Sequence, residues 1–186
     1  MATTHDELRA IALEEFARAG YNATSLQRIA ELAGVAKSSV LYHFASKEAL
    51  LEAAIAPALA RFEAIVDGLA TGNDRDTFVT GFVDLVLEHT LELHMFINQG
   101  ASLEDVPAFE RANALAVRIA QHFATTTQGA LERMRFGIAL GGAAYLMASQ
   151  RQFAVEQAVP IDETRAALIT IVTELLAPVP VRSTTP

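Results

Sequence analysis

The chain has 186 residues, of which 52% are apolar and 19% are charged, and its formal net charge is −8. This composition excludes an intrinsically disordered protein, which needs low hydrophobicity and a high charge density. The absence of cysteine excludes disulfides and thiolate zinc sites. The longest uncharged apolar stretch, residues 136–149, is shorter than the roughly 20 residues that span a bilayer, and the first residues lack the pattern of a secretory signal. We therefore expect a cytoplasmic protein with no membrane contact.

Capping patterns predict two helices at the start of the chain. Thr4 and Glu7 have the spacing of a capping box, and Gly20 follows the first helix at a position suited to a left-handed cap. Thr24 and Gln27 form a second capping box. A second, short helix is therefore expected to begin at Thr24.

A turn that contains glycine, at residues 34–35, separates this second helix from a third, which is expected over residues 37–44. Two short helices joined by such a turn are typical of a helix-turn-helix motif. The alternative is an ordinary helical hairpin. Ser46 then caps a fourth, longer helix.

The rest of the chain also predicts helices, because it is rich in Ala and Leu and the whole sequence holds only 10 Gly and 6 Pro. The expected fold class is all-α, with about nine helices. Pro57 should kink or divide the fourth helix, because proline cannot donate the helical hydrogen bond to residue 53. These later helices are expected over residues 46–69, 75–97, 108–124, 128–154 and 162–177.

The charge is unevenly distributed along the chain. Residues 1–50 carry five basic and six acidic side chains, whereas residues 51–186 carry nine basic and sixteen acidic ones. Both lysines of the chain, Lys37 and Lys47, lie in the first part. This pattern fits a small DNA-contacting unit attached to an acidic one.

From Thr24 to Glu48 the sequence is TSLQRIAELAGVAKSSVLYHFASKE. This stretch resembles the DNA-binding head of the TetR family of repressors in its Thr-Ser start, its Ala-Gly-Val turn and its Tyr-His-Phe end. Phe16, Gly20 and Tyr21 also stand where the family pattern has them. The resemblance implies a DNA-binding domain over residues 1–46 and an effector-binding and dimerisation domain over residues 47–178. We expect residues 179–186 to form a disordered tail.

The resemblance also implies where DNA is contacted. The first residues of a recognition helix reach base edges in the major groove, and the start of the second helix favours a backbone phosphate. The alternatives are that Thr24 only caps its helix and that His43 packs structurally. The candidate DNA-contacting residues are Thr24, Ser25, Lys37, Ser38, Ser39, Tyr42, His43 and Lys47.

The last two helices are the expected dimer interface. Residues 136–147 are apolar all round, which is typical of a helix buried on both sides. The resemblance implies that these helices form a four-helix interface with a second copy; the alternative is that they fill the monomer's own core. The candidate interface residues are Phe136, Gly137, Leu140, Gly141, Ala144, Leu168, Ile169, Val172, Leu175 and Leu176.

The middle helices are expected to enclose an effector pocket, although many of the apolar candidates can equally be ordinary core. His94 is a further polar candidate, and His89, Glu92 and His122 are weighed as metal ligands, but no metal or cofactor is expected. The candidate pocket residues are Phe78, Phe82, Val86, His89, Phe96, Asn98, Phe109, His122, Phe123 and Tyr145.

The function expected from the resemblance is that of a homodimeric repressor that leaves a pseudo-palindromic DNA operator when a small molecule binds. Ala36 and Leu41 stand where the family commonly has Ser and Tyr, which keeps open a ligand-binding or scaffolding protein with a vestigial head. A helical enzyme that uses His89, Glu92 or His122 is the third alternative. The sequence lacks a nucleophile elbow and a Gly-rich phosphate loop, so the chain is not expected to be an enzyme.

Overall fold

The computed structural model describes residues 5–72, 74–127, 129–149 and 159–178, and these residues form α-helices and no strand. The all-α prediction is therefore confirmed. We call α1–α3 the head and α4–α9 the body. The helices are α1 (His5–Ala19), α2 (Leu26–Ala33), α3 (Lys37–His43), α4 (Lys47–Ala70), α5 (Arg75–Glu88), α6 (Thr90–Gln99), α7 (Pro107–Thr126), α8 (Ala130–Ser149) and α9 (Ile161–Leu176), with a short 3₁₀ turn at Gly100–Ser102.

The helix boundaries in the head depart from prediction at one cap. Ser25, not Thr24, is the N-cap of α2, and its Oγ accepts a hydrogen bond from the backbone N–H of Arg28 at 3.1 Å. Gly34 ends α2 in the left-handed conformation, with φ of 67°, as a glycine cap does. Ser46 caps α4 as predicted, accepting from the N–H of Ala49. Thr4, the predicted cap of α1, lies outside the described residues.

Of the two outcomes expected at Pro57, a kink or a division, the division does not occur, and one break that was not predicted appears elsewhere in the body. The α4 helix runs without division through Pro57, whereas the single helix predicted over residues 75–97 is two helices that meet at His89. At that residue φ is −118° and ψ is 45°, so its backbone leaves the helical region. No glycine or proline marks this break, because it depends on how α5 and α6 pack against α8 and α9.

The core is one continuous cluster that links the head to the body. In the head, Leu8, Phe16, Ile29 and Val40 are inaccessible to solvent or nearly so. The α1 helix packs against both α4 and α6, while α4 packs against α7, and α8 packs against α6 and α9. The α3 helix is therefore held on a small core that the body supports through two helices, α4 and α6.

No helix in the described part of the chain has the length and apolar character needed to cross a membrane.

Candidate DNA-binding surface and ligand cavity

The α3 helix presents nearly all of its side chains to solvent. Of its seven residues only Val40 is buried, and it anchors the helix in the core of the head. Tyr42 is 87% exposed and lies edge-on to the ring of His43. The structure thus brings most of the predicted DNA-contacting residues onto one exposed helix: Lys37, Ser38, Ser39, Tyr42 and His43.

Thr24 has a different place from the one predicted. Its side chain is only 2% exposed, and its hydroxyl donates a hydrogen bond to the carbonyl of Gly20 at 2.8 Å. A buried hydroxyl with an internal partner cannot reach a phosphate, so Thr24 shapes the turn before α2. Its neighbour Ser25 is exposed at the N-terminus of α2, where backbone N–H groups favour an anion.

Lys47 is engaged within the protein. Its Nζ donates to the carbonyls of Tyr21 and Thr24 at 2.9 and 3.0 Å, and lies 4.1 Å from the centre of the Tyr21 ring. Burial lowers the pKa of this ammonium group. An ammonium has three donors, and two of them here hold the turn before α2 to the start of α4. The sequence predicted a DNA contact for Lys47 and did not indicate this structural role.

A charged cluster that the sequence analysis missed joins α1 to α2. Glu15 is buried, and its carboxylate accepts hydrogen bonds from Arg18 at 2.8 and 2.9 Å and from Arg28 at 3.3 Å. The hydrogen bonds from Arg18 lower the pKa of Glu15, and those from Arg28 lower it further against the opposing effect of burial. The cluster fixes α2 on α1, and thereby the position from which α3 departs.

A second missed residue joins the head to the body. The Gln99 amide, at the end of α6, donates from Nε2 to the carbonyl of Phe16 at 3.0 Å. Its Oε1 accepts from the backbone N–H of Tyr21 at 2.9 Å. The first contact falls on the last turn of α1, and the second falls on the segment between α1 and α2. A movement of α6 along its axis would therefore act directly on the head.

The body encloses a cavity of about 490 Å³, bounded by α4, α5, α6, α7 and α8. Pockets that bind drug-sized molecules have volumes of roughly 300–1,000 Å³. Six of the predicted pocket residues line it: Phe82, Val86, His89, Phe96, Phe109 and Tyr145.

Four predicted pocket residues do not line this cavity. Phe78 is buried and stacks on Phe82, and Phe123 lies between Phe78 and Phe136. The ring of His122 packs edge-on against Phe123, and the amide of Asn98 donates to the carbonyl of His94 on its own helix. These residues belong to the core or to the surface. Their position on the apolar side of a helix does not distinguish them from residues that line a cavity.

Small side chains create much of the cavity wall. Ala108, Ala112, Ala116 and Ala120 recur every four residues along one face of α7, and all four line the cavity. The sequence contains this four-residue spacing of alanines, whereas the pocket prediction rested on large apolar residues.

The polar side chains of the cavity wall are few: His89, Glu92 and Tyr145. Nδ1 of His89 lies 3.0 Å from Oε1 of Glu92, and the two side chains are 20% and 14% exposed. The hydrogen bond to Glu92 raises the pKa of His89, although burial opposes the shift. No trio of ligating side chains suited to a metal occurs among the described residues. The metal site considered for His89, Glu92 and His122 is therefore wrong.

The comparisons with known proteins agree with this architecture. Residues 8–54 match the family model described as bacterial regulatory proteins, tetR family. The similarity to the TetR family therefore rests on the head and the first turns of α4. The chain is 56% identical over 39 residues to the transcriptional regulator RutR of Escherichia coli K12, across 21% of this chain and 18% of RutR. It is 29% identical over 115 residues to the repressor KstR2 of Mycolicibacterium smegmatis, across 59% of this chain and 56% of KstR2.

These matches span from under a fifth to just over half of the relatives' length. Solved structures share the fold more widely. KstR2 of Mycobacterium tuberculosis superposes with a TM-score of 0.66 at 16% identity, over 91% of this chain and 93% of that one. A transcriptional regulator from Aquifex aeolicus VF5 gives 0.64 at 16% identity, over 92% of this chain and 98% of that one.

Several of the predicted interface residues lie on the inner faces of α8 and α9. Leu140, Leu168, Val172 and Leu176 are buried in the monomer, so they serve its own core. Gly137 and Gly141 are exposed. The other predicted interface residues are partly buried: Phe136, Ala144, Ile169 and Leu175. The buried members therefore follow the alternative that the sequence left open, the monomer's own core, whereas an interface at the exposed Gly137 and Gly141 stays a prediction.

An apolar surface of α8, on the side that holds the exposed Gly141, faces solvent. We call it the α8 stripe: Leu131, Met134, Ile138 and Tyr145, which are 60%, 66%, 63% and 48% exposed. The first three recur at intervals of three and four residues, and Tyr145 lies one heptad beyond Ile138, so the four share one side of α8. Leu146 and Ile171 extend this apolar exposure.

Proposed function

We propose that this chain is a ligand-responsive transcriptional regulator, a repressor that is released from its DNA operator when a small molecule occupies the body cavity. The observation that carries the proposal is the joint presence of an exposed recognition helix and a largely apolar cavity, connected by α4 and α6. The relatives named above are transcriptional regulators, and one is called a repressor.

We propose that DNA is contacted by the exposed members of the predicted set. Lys37, Ser38 and Ser39 stand at the start of α3 and are assigned to base edges and nearby phosphates. Phosphate contacts are assigned to Ser25 at the start of α2 and to Tyr42 and His43 at the end of α3. Thr24 and Lys47 position this surface and make no primary contact.

We propose that two copies associate through the α8 stripe. A head of three short helices makes few contacts, so specific binding requires two heads on half-sites about 34–36 Å apart, or a multiple of that spacing. A second copy would cover the exposed side chains of the stripe, whose apolar area is otherwise in contact with water. The division into a DNA-binding domain over residues 1–46 and an effector-binding and dimerisation domain over residues 47–178 belongs to the same proposal.

We propose that α6 transmits the signal. Its first turns place His89 and Glu92 at the cavity, and its last residue, Gln99, holds the head by two hydrogen bonds. A ligand that favours one position of α6 would change how the two heads are held. The free energy lost from DNA binding then equals the difference in ligand-binding free energy between the two states.

One observation favours a second candidate, a ligand-binding protein whose head no longer binds DNA. Ala36 caps α3 with no side-chain hydrogen bond, and Leu41 presents an apolar side chain, 44% exposed, on the recognition helix. Both features weaken the polar character of a DNA-binding surface.

Duplex binding as a function of salt separates the two candidates. The measurement is fluorescence anisotropy of labelled duplexes taken from DNA upstream of the coding sequence, at several salt concentrations. A regulator should bind a specific duplex, with log affinity falling against log salt by about 0.9 per phosphate neutralised. Equal and negligible affinity for every duplex at low salt would favour the second candidate.

A further inference from the structure

The ligand cavity has one polar corner in a wall that is otherwise apolar. His89 and Glu92 lie at this corner, beside one another at the start of α6. Tyr145 is the other polar lining side chain, and it lies on α8. A molecule that fills the cavity therefore meets aliphatic and aromatic groups over most of its surface, and it can make polar contacts at few places.

The geometry of the pair decides what His89 offers to a ligand. A carboxylate accepts hydrogen bonds, so the ring nitrogen that faces it, Nδ1, carries a proton. The same contact raises the pKa of His89 and favours the doubly protonated ring. In that form Nε2 also carries a proton and can act as a donor.

The charges around His89 decide which acceptor suits it. Glu92 on α6 and Glu88 at the end of α5 are negative, and Arg61 on α4 is positive, and each acts on the imidazole. The cavity residues contributed by α7 are apolar. When the ring of His89 carries both protons, the imidazolium and Glu92 form a neutral pair. A ligand carboxylate at this corner would add a negative charge close to Glu92 in a poorly solvated site, which is unfavourable.

We propose that the effector is an uncharged, largely apolar molecule with a carbonyl oxygen that accepts a hydrogen bond from Nε2 of His89. The proposal deepens the proposed function, since it names the ligand class of the same cavity. It excludes long-chain carboxylic acids as preferred ligands. Above the pKa of His89 the ring keeps its proton on Nδ1 and Nε2 becomes an acceptor, so carbonyl affinity should fall as the pH rises.

The test is displacement of the neutral dye Nile red by two compounds with the same carbon skeleton, 2-tridecanone and tridecanoic acid. Ala112→Trp fills the cavity from α7 and locates the dye there, because it should abolish dye binding. We expect the ketone to bind at least about tenfold more tightly than the acid, the scale of one charge-assisted hydrogen bond.

Two variants assign the preference to the pair. His89→Phe should lose about tenfold in ketone affinity and keep its affinity for Nile red, whereas His122→Phe, a matched change outside the cavity, should alter neither. Glu92→Gln should bring the acid and the ketone closer together, because it removes the opposing charge.

An acid that binds as tightly as the ketone, or a ketone affinity that His89→Phe leaves unchanged, would overturn the ligand class while the dye still reports a functional cavity. Absence of Nile red binding to the wild-type chain would overturn the ligand-responsive function as well.

Discussion

The head and the body use their side chains in opposite ways. In the head, the proposed DNA contacts depend on groups that are present at fixed spacing, such as the exposed Lys37, Ser38 and Ser39 at the start of α3. In the body, function depends on volume that is absent, since alanines along one face of α7 leave room beside α4 and α8. A short motif is enough to specify the first kind of site, whereas the second is specified by packing between five helices.

The largest expected effect concerns the surface proposed to join two copies, because specific DNA binding needs a pair of heads, one from each copy. Ile138→Glu places a charge in the middle of the α8 stripe, where the side chain is 63% exposed in the monomer. The chain should remain folded by circular dichroism but become monomeric, and its affinity for a specific duplex should fall by at least about a hundredfold, because one head alone makes too few contacts.

The matched control is Val117→Glu on α7, which is 53% exposed and lies outside the stripe. Analytical ultracentrifugation should show this variant as a dimer. A dimeric Ile138→Glu protein would show that the two copies meet elsewhere.

The next effect tests the head by itself. Lys37→Ala removes an exposed cation from the start of the recognition helix and should weaken specific duplex binding by at least about 1 kcal/mol per head. Anisotropy titrations should also show a smaller salt slope. Arg118→Ala, which removes an exposed body cation paired with Asp67, serves as the control. Unchanged duplex affinity in the Lys37 variant would remove α3 from the DNA interface.

A third experiment joins the two regions. Ala112→Trp fills the cavity and should lower duplex affinity as a bound effector does. In the background of Gln99→Met, which removes both hydrogen bonds to the head, the same substitution should have an effect smaller by about 1 kcal/mol. The readout is the double-mutant cycle in duplex affinity, with Gln27→Met on exposed α2 as control. Additive effects would mean that the Gln99 contacts do not transmit the signal.

The smallest effect concerns the internal order of the head. The pKa of Glu15 is lowered in the folded chain by Arg18 and Arg28, so its stabilising effect is present above the pKa of an unfolded glutamate and is lost as the pH falls through the folded value. Chemical denaturation at pH 7 and at acidic pH should therefore show a smaller acid sensitivity for Glu15→Gln than for wild type. The exposed α9 variant Glu163→Gln should retain the wild-type dependence, and an equal change in both variants would contradict the assignment.

The accuracy of prediction follows the same division between the regions. The caps at Ser46 and Gly34 and the exposure of α3 were predictable because each depends on neighbours in the sequence. The cap at Thr24 was misassigned by one residue, since two adjacent hydroxyls compete for the same position and the tertiary fold buries one of them.

The sequence predicted the helices of the body, but not which of their faces are buried and which are exposed. Leu140 and Ile138 are equally apolar in the sequence, yet the first is buried in the monomer and the second is exposed. The break at His89 and the reach of Gln99 across to Tyr21 depend on contacts between residues distant in the chain. No local pattern contains that information.

The most direct test of two heads paired by dimerisation is selection of duplexes from a random-sequence pool by the full-length chain, followed by sequencing of the enriched DNA. The account predicts an inverted repeat whose half-site centres lie one or two helical turns apart, enriched by the wild-type chain and lost with Ile138→Glu. Enrichment of a single unrepeated half-site, or of no sequence at all, would contradict it.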